Sequence, residues 1–179
     1  MEKSLARISK TLSYALRHRP EALGLALDSN GWVEVSALLD GLRAAGHVLD
    51  ESKLRLVVEQ NDKQRFEFDA DCSRIRARQG HSVDVDLQLE AREPPDSLFH
   101  GTAERFLDSI LEEGLDRRQR HHVHLSADIG TATRVGQRHG AVVVLRVDAG
   151  RMHRDGHRFF RTENGVWLTA GVPPEYLLQ

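Results

Sequence analysis

The first segment of the chain carries apolar residues at every third or fourth position. This spacing is typical of an amphipathic helix and predicts one over residues 4–18, which Pro20 ends. The apolar face of this helix comprises Leu5, Ile8, Leu12 and Ala15. A short alternation at residues 31–35 predicts a strand, and Ser36 is placed to cap a second helix over residues 37–46.

The remainder of the first half predicts a third helix and a hairpin. Asp50 precedes the third helical pattern, and the alternating segments RFEFD and RIRAR predict two strands. The turn-prone residues 69–71 separate these two strands. Helix, short strand, helix, helix and hairpin is the order of elements in a winged helix. Trp32 lies within the apolar alternation, so we expect it in the core of this fold.

A break in composition divides the chain after the predicted hairpin. The Pro94-Pro95 pair places a domain boundary there and predicts two domains, residues 1–93 and 97–179. The second domain contains predicted strands at SLFHGT, HVHLS, AVVVLRV and NGVWLT, and predicted helices at AERFLDSILEEG and DIGTATRVGQRHG. The continuous apolar run AVVVLRV is typical of a strand buried on both faces. The predicted fold class is therefore α+β.

Composition limits the class of protein. Apolar residues make up 40% of the chain and charged residues 29%, which is typical of a folded globular protein. No segment approaches the roughly 18 apolar residues of a membrane span, and MEKSLARISK lacks the apolar region of a secretory signal. Cys72 is the one cysteine, which excludes an internal disulfide and is typical of a reducing compartment. We therefore expect a cytoplasmic protein without membrane contact.

Charge and glycine motifs narrow the choice of ligand. The net charge of −2 argues against a globally basic nucleic-acid binder. Only four of the 25 basic residues are lysines, and the planar guanidinium of arginine suits phosphate oxygens. A genome rich in G and C explains the arginine bias equally well, so composition permits a phosphate ligand without predicting one. The glycine-rich phosphate-binding motifs of Rossmann and P-loop proteins are absent.

Two similar motifs combine a histidine with a hydroxyl side chain, HGT at residues 100–102 and HLS at residues 124–126. Such a pair can act as acid and base on a phosphoester, so a nucleotide phosphodiesterase is one hypothesis. Gly101 indicates a turn in which the backbone approaches a ligand. His122 and His124 share one face of a predicted strand, but no third ligand occurs at a recognisable spacing. The sequence therefore predicts no metal site.

Seven segments follow one another along the chain in this order: KTLSYALRHRPEALGLALDSNGWVEV, DKQRFEF, IRARQGHSVDVDL, LFHGT, RHHVHLS, VGQRHG and NGVWLT. Taken together, they resemble the RNA (tRNA) 2'-phosphotransferase family. The resemblance extends from about Ser4 to Leu177. It implies an N-terminal winged-helix lobe that binds RNA and a C-terminal lobe like the ADP-ribosyltransferases that binds NAD.

The resemblance also implies a reaction, the NAD-dependent removal of an internal 2'-phosphate from RNA, which is associated with tRNA splicing. The 2'-phosphate attacks the anomeric carbon of the nicotinamide riboside and expels nicotinamide. A neighbouring ribose hydroxyl then attacks the phosphorus, which releases 2'-hydroxyl RNA and ADP-ribose 1'',2''-cyclic phosphate. NAD is consumed as a substrate, and no metal is implied.

The family's catalytic set corresponds to Arg17, His18, Arg65 and Arg120. Its arginines can bind a phosphate and offset the charge that develops on it, and His18 can exchange a proton near neutral pH. Residues that match the family's NAD-binding positions are His100, Gly101, Thr102, His124, Ser126, Thr131, Gly136, Arg138, His139 and Gly140. His121, beside Arg120, departs from the family pattern, which has a small polar residue there.

Two other functions stay open at this point. One is an ADP-ribosyltransferase that caps terminal phosphates of nucleic acid and stops after the first step. The other is an RNA-binding module without activity, against which the intact catalytic set argues. The expected partners are RNA that carries a 2'-phosphate and NAD, and we expect a monomer.

Overall fold

A computed structural model describes the backbone of residues 2–178 and the side chains of residues 4–178. Contacts between residues divide the chain into two compact units, Met1–Gln88 and Leu89–Gln179. Both units combine helices with small antiparallel sheets, so the fold is α+β, as the sequence predicts. Within residues 2–178, no helix is long and apolar enough to span a bilayer.

Residues 2–88 of the first unit form three α-helices, one 3-10 turn and a three-stranded antiparallel sheet. The helices are α1 (Glu2–Arg17), α2 (Val35–Ala44) and α3 (Glu51–Glu59), and the strands are β1 (Val33–Glu34), β2 (Phe66–Phe68) and β3 (Arg74–Ala77). The strand order is β1-β3-β2, with Val33 opposite Ile75 and Phe66 opposite Ala77. The predicted sequence of helix, strand, helix, helix and hairpin is therefore present.

The apolar face of α1 forms one side of the core of the first unit. Leu12 and Leu16 have no exposed surface, and they belong to one apolar cluster with Leu38 of α2, Leu54 of α3 and Ile75 of β3. Burying one such side chain contributes about 1.5–3 kcal/mol to stability. The spacing of apolar residues that predicts α1 is thus the spacing that attaches it to this core.

Two local predictions for this unit were wrong. Ser36 does not cap α2, because the helix begins directly after β1 and Glu34 occupies the cap position without a side-chain bond. Trp32 is half-buried outside the core cluster. The guanidinium carbons of Arg76 and Arg74 lie 4.4 and 5.6 Å from the centroid of its ring. The π face of Trp32 is thus covered by cations rather than by apolar side chains.

Residues 89–178 of the second unit form three short α-helices, three 3-10 turns and eight strands. The helices are α4 (Leu107–Glu113), α5 (Ile129–Gly136) and α6 (Ala149–Arg154). The strands are β4 (Ser97–Ala103), β5 (Leu115–Asp116), β6 (Val123–Leu125), β7 (Val142–Asp148), β8 (Phe159–Arg161), β9 (Trp167–Thr169), β10 (Gly171–Val172) and β11 (Leu177–Leu178). All their pairings are antiparallel, in the orders β11-β7-β4, β6-β9-β8 and β10-β5.

The two three-stranded sheets of this unit meet at one point. Phe99 of β4 and Ser126, just after β6, exchange two backbone hydrogen bonds of 2.8 Å each. Leu98, Leu125 and Phe159 are buried in the core that the two sheets share. The short bridge therefore places the beginning of β4 beside the end of β6, the two segments that carry the HGT and HLS motifs.

The prediction that β7 is buried on both faces was wrong. Leu145 and Val147 are almost fully buried, whereas Arg146 between them is exposed. At the other end of β7, α5 packs so closely that a Cβ added to Gly136 would lie 2.6 Å from Val142. The helix thus covers only the beginning of the strand, and a long arginine is tolerated beyond it.

Candidate functional site

The first two members of the predicted catalytic set lie at the C-terminus of α1. The carbonyl oxygen of Tyr14 accepts hydrogen bonds from the N–H groups of His18 and Arg19 at 3.0 and 3.1 Å, which completes the last turn. His18 Nδ1 lies 2.9 Å from Ser82 Oγ. The N–H of Ser82 donates to the carbonyl of Arg17 at 2.9 Å. The segment after β3 therefore fixes the backbone of Arg17 and the ring of His18 together.

A buried asparagine connects Arg65 to α1. Asn61 is only 8% exposed, and its Nδ2 donates to Ser9 Oγ at 2.7 Å. Its Oδ1 accepts from the backbone N–H of Arg65 at 3.2 Å and from Arg65 Nη1 at 3.4 Å. Burial lowers the pKa of Arg65, while the carboxylate of Asp62 acts in the opposite direction. The guanidinium is thus partly desolvated, which strengthens its attraction for an anion.

One helix therefore positions three of the four candidate catalytic residues. It carries Arg17 directly, is followed at once by His18, and anchors Arg65 through Asn61. Sequence reasoning missed both Asn61 and Ser82. The available signal was their nearness in sequence to recognised motifs, since Asn61 begins NDKQR and Ser82 belongs to RQGHSV. Nothing in those letters shows that the two side chains bond to candidate residues.

Arg120 belongs to the second unit and is exposed in the turn before β6. Its N–H donates to the carbonyl of Arg117 at 3.1 Å, and Arg117 Nη1 donates back to the carbonyl of Arg120 at 3.2 Å. Nearby, the ring of His122 packs edge-on against Phe160, with the ring centroids 5.4 Å apart. Among the residues that the structure describes, no group of three or more His, Cys, Asp or Glu side chains could hold a metal ion.

His100 and His124 come together where β4 meets β6. His100 Nδ1 lies 3.1 Å from the carbonyl oxygen of His124, two residues before Ser126. Because a carbonyl only accepts, Nδ1 carries the proton. Burial lowers the pKa of His100, and His139 and Arg120 repel its protonated form. The sequence-predicted residues Arg120, His124 and His139 therefore lie near His100, and burial favours the neutral form of its ring. Ser126 is bonded to Phe99, the residue before His100.

Gly101 lies in the middle of β4, so the prediction of a turn at this residue was wrong. A Cβ at position 101 would lie 1.7 Å from the carbonyl oxygen of Ala132 and 2.9 Å from the nitrogen of Gly136. A Cβ at Gly136 would lie 3.0 Å from the nitrogen of Thr102. The two glycines thus allow the backbones of α5 and β4 to touch, and Thr102 is buried beside them.

The edge of β4 that faces away from β7 has a polar backbone. Phe99 uses its N–H and carbonyl for the bridge to Ser126 on this edge. Gly101, two residues further along, directs its N–H and carbonyl the same way, because successive residues of a strand alternate. No residue within 2–178 is found bonded to these two groups. A planar amide is the kind of group that pairs with such an edge.

Thr131 has a capping role in α5. Asp128 is the cap residue, and its carboxylate accepts from the Thr131 N–H at 2.8 Å and from the Thr131 hydroxyl at 2.9 Å. Beyond α5, residues 137–139 form a short 3-10 helix in which Arg138 and His139 are exposed. Gly140 follows with a φ of +131°. These residues border the surface beside His100, in agreement with the influence of His139 on its pKa.

Comparison with known proteins gives a consistent result over nearly the whole chain. The family model described as RNA 2'-phosphotransferase, Tpt1 / KptA family, matches residues 3–171. A relative from Agrobacterium fabrum is 59% identical over 94% of this chain and 91% of its own length. Relatives from Pseudomonas fluorescens and Burkholderia lata are 54% and 55% identical, over 98% and 96% of this chain and 97% and 89% of their own. Each of the three is named "Probable RNA 2'-phosphotransferase".

Proposed function

Because the chain belongs to the RNA 2'-phosphotransferase, Tpt1 / KptA family, we propose that it is an enzyme that removes a 2'-phosphate from RNA. The observation that carries this proposal is the match over residues 3–171, together with relatives of that name at 54–59% identity. The proposed acceptor of the phosphate is the ADP-ribose part of NAD, which is consumed as a substrate.

The proposed roles of the two units follow from their elements. The first unit serves as a winged-helix lobe for RNA, which its order of three helices and a hairpin supports. The second serves as an ADP-ribosyltransferase-like lobe for NAD. The junction of β4 and β6, which brings His100 beside His124, supports this role. The amide of nicotinamide fits the open backbone groups of Gly101, which supply one donor and one acceptor.

The first step needs binding and orientation rather than a base. A phosphate monoester already carries nearly two negative charges at neutral pH, so its oxygen is a nucleophile without proton removal. Arg17 and Arg65 bind this phosphate, and the partial burial of Arg65 strengthens that contact. A bond forms between a phosphate oxygen and the anomeric carbon, the bond from that carbon to nitrogen breaks, and neutral nicotinamide leaves.

The second step transfers the phosphorus from RNA to the ribose. A hydroxyl of the ADP-ribose attacks the phosphorus and gives up its proton, the bond from phosphorus to the RNA 2'-oxygen breaks, and that oxygen takes up a proton. Arginines offset the charge that develops on the phosphorus oxygens. His18, held through Nδ1 by Ser82, orients the reacting groups and can supply the proton. The products are 2'-hydroxyl RNA and ADP-ribose 1'',2''-cyclic phosphate.

The test is incubation of a short oligonucleotide that carries one internal 2'-phosphate, with and without NAD, followed by separation of the products. We expect cyclic phosphate and nicotinamide only when NAD is present. Arg65→Ala and Arg120→Ala are expected to accumulate the ADP-ribosylated RNA, because the second step needs the most charge stabilisation. Arg43→Ala is the control, since Arg43 pairs with Asp40 on α2 at 3.0 Å.

Two results would overturn parts of this proposal. If the 2'-phosphate is lost at the same rate without NAD, then NAD is not a substrate of the reaction. A stable ADP-ribosylated product from the unaltered protein, with no cyclic phosphate, would favour an ADP-ribosyltransferase that caps terminal phosphates.

A further inference from the structure

One side of α1 carries a stripe of basic and aromatic residues that faces away from the core. At 3.6 residues per turn its members fall within a sector about 100° wide, opposite the buried Leu12 and Leu16. The stripe consists of Arg7, Lys10, Tyr14, Arg17 and, one residue past the helix, His18. Two of its members are candidate catalytic residues, and the other three have no role in the proposed reaction. We call those three the α1 track.

The cations of the α1 track are not paired with carboxylates among the side chains that the structure describes. Arg7 and Lys10 are exposed, and neither forms an ion pair with any side chain within residues 4–178. Several other arginines of the first unit do form ion pairs with carboxylates. Arg74, for example, pairs with Asp69 at 2.9 Å. The α1 track therefore presents positive charge that is available to an external anion.

Tyr14 lies in the middle of the stripe, and its side chain is exposed. It is 51% exposed, and its ring centroid lies 6.4 Å from that of His18, with the planes tilted by 50°. A single exposed aromatic residue is common on protein surfaces. Here, however, cations lie on the same face of the same helix on both sides of it. An open aromatic face between cations is the arrangement that binds single-stranded nucleic acid, because every base can stack on it.

In a winged helix the third helix is the usual nucleic-acid-binding helix, but in this protein α3 is less suited than α1 to bind RNA. The charged residues of α3 are Glu51, Lys53, Arg55 and Glu59, so its net charge is zero. Arg55 is also engaged, with its guanidinium carbon 5.6 Å from the centroid of the Phe68 ring. In contrast, α1 contains one acidic residue, Glu2, in its sixteen. Electrostatic attraction for RNA is thus stronger along α1 than along α3.

We propose that the α1 track binds the single-stranded RNA that flanks the 2'-phosphate. Arg7 and Lys10 contact backbone phosphates, and a base stacks on Tyr14. This inference rests on the proposed function, because that function places the 2'-phosphate at Arg17 and His18. From His18 to Arg7 the helix rises about 16 Å, at 1.5 Å per residue, so the track has room for several nucleotides.

The first test measures binding of fluorescently labelled RNA by anisotropy, without NAD, over a series of salt concentrations. The ligand is a single-stranded octamer with one internal 2'-phosphate. We expect the double variant R7A/K10A to reduce the slope of log affinity against log salt by about 1.4, because each lost phosphate contact on a single strand removes about 0.7. The matched control is R43A/K53A, which removes the same charge from α2 and α3.

The second test replaces Tyr14. We expect Tyr14→Ala to weaken binding of the octamer about 5- to 150-fold, the effect of losing one stacked base. Tyr14→Phe keeps an aromatic face and is expected to bind within about twofold of the unaltered protein. Because Tyr14 is exposed, the alanine variant is expected to fold, and circular dichroism checks this.

The outcomes separate this inference from the proposed function. If R43A/K53A reduces the salt slope as much as R7A/K10A, or if Tyr14→Ala binds normally, the α1 track is not the RNA site. Those results leave removal of the 2'-phosphate untouched. If the unaltered protein binds the octamer as expected here but releases no cyclic phosphate with NAD, the proposed reaction is wrong and the binding surface stands.

Discussion

Replacing Asn61 by aspartate changes the surroundings of Arg65 with almost no change in shape. The acceptor Oδ1 is kept, but it becomes part of a carboxylate next to a partly desolvated guanidinium. The donor that bonds to Ser9 on α1 is lost. We expect the new carboxylate to compete with the 2'-phosphate for Arg65 and thereby to lower kcat/KM.

The expected loss in kcat/KM equals the free energy of the hydrogen bond between the new carboxylate and Arg65, which the phosphate must displace. A hydrogen bond to a charged group contributes about 1.5–3 kcal/mol, which corresponds to a loss of about 10- to 150-fold in kcat/KM. Asn61→Ala acts differently, because it removes the bonds that Asn61 makes to the half-buried groups of Ser9 and Arg65. It is expected to cost about 1–3 kcal/mol in the free energy of unfolding.

The assay combines steady-state kinetics on the 2'-phosphorylated oligonucleotide with urea unfolding of each variant. Asn30→Asp is the matched control, since Asn30 lies in the same unit and its amide donates to the carbonyl of Asp86 at 2.7 Å, with no bond to Arg65. If Asn61→Asp retains kcat/KM within about twofold of the unaltered enzyme while Arg65→Ala is inactive, then Asn61 does not set the availability of Arg65. The reasoning from its hydrogen bonds would then be refuted.

Two further predictions concern the second unit. Gly101→Ala is expected to lower the free energy of unfolding of the second unit by about 1–3 kcal/mol, because the added Cβ would overlap the carbonyl of Ala132. The control Gly130→Ala, in the exposed first turn of α5, is expected to change it by less than about 1 kcal/mol. Equal urea midpoints for the two variants would contradict this prediction. Burial lowers the pKa of His100 below its usual 6.5, so the unfolded chain binds a proton more readily than the folded one. Stability from this residue is therefore complete above pH 6.5 and is lost as pH falls from there toward the folded pKa. His100→Gln is expected to flatten the dependence of the urea midpoint on pH in this range, and an unchanged dependence would exclude His100 as its source.

The order of elements in the first unit was predictable because its helices have a regular apolar face. Leu12 and Leu16 are buried where the spacing places them. Trp32 was assigned incorrectly because an alternating pattern does not show which of its two faces meets the core. The arginines that cover its ring come from β3, about forty residues further along the chain. Such a contact depends on strand pairing and is invisible in the local sequence.

The candidate catalytic residues could be named only from the motifs that match a family. The sequence names Arg65 but does not reveal that Asn61 holds it, since a buried polar residue and a solvated one look alike in a sequence. At Gly101 the local sequence instead suggested a feature, a turn, that the structure does not contain. A glycine between polar residues suggests a turn. Here, however, the missing side chain lets α5, which begins almost thirty residues later, pack directly against β4. Packing between distant segments decides both cases.

The two tryptophans of this chain fall one in each compact unit, in contrasting surroundings. Trp32 is half open to water and lies under two guanidinium groups. Trp167 is 7% exposed within an apolar cluster, and one guanidinium, that of Arg161, lies 5.8 Å from its ring centroid. Because Trp167 is less exposed to water, we expect its fluorescence emission maximum at a shorter wavelength than that of Trp32. In variants that keep only one of the two tryptophans, the fluorescence of that residue is expected to follow the unfolding of the unit that contains it, without an attached dye.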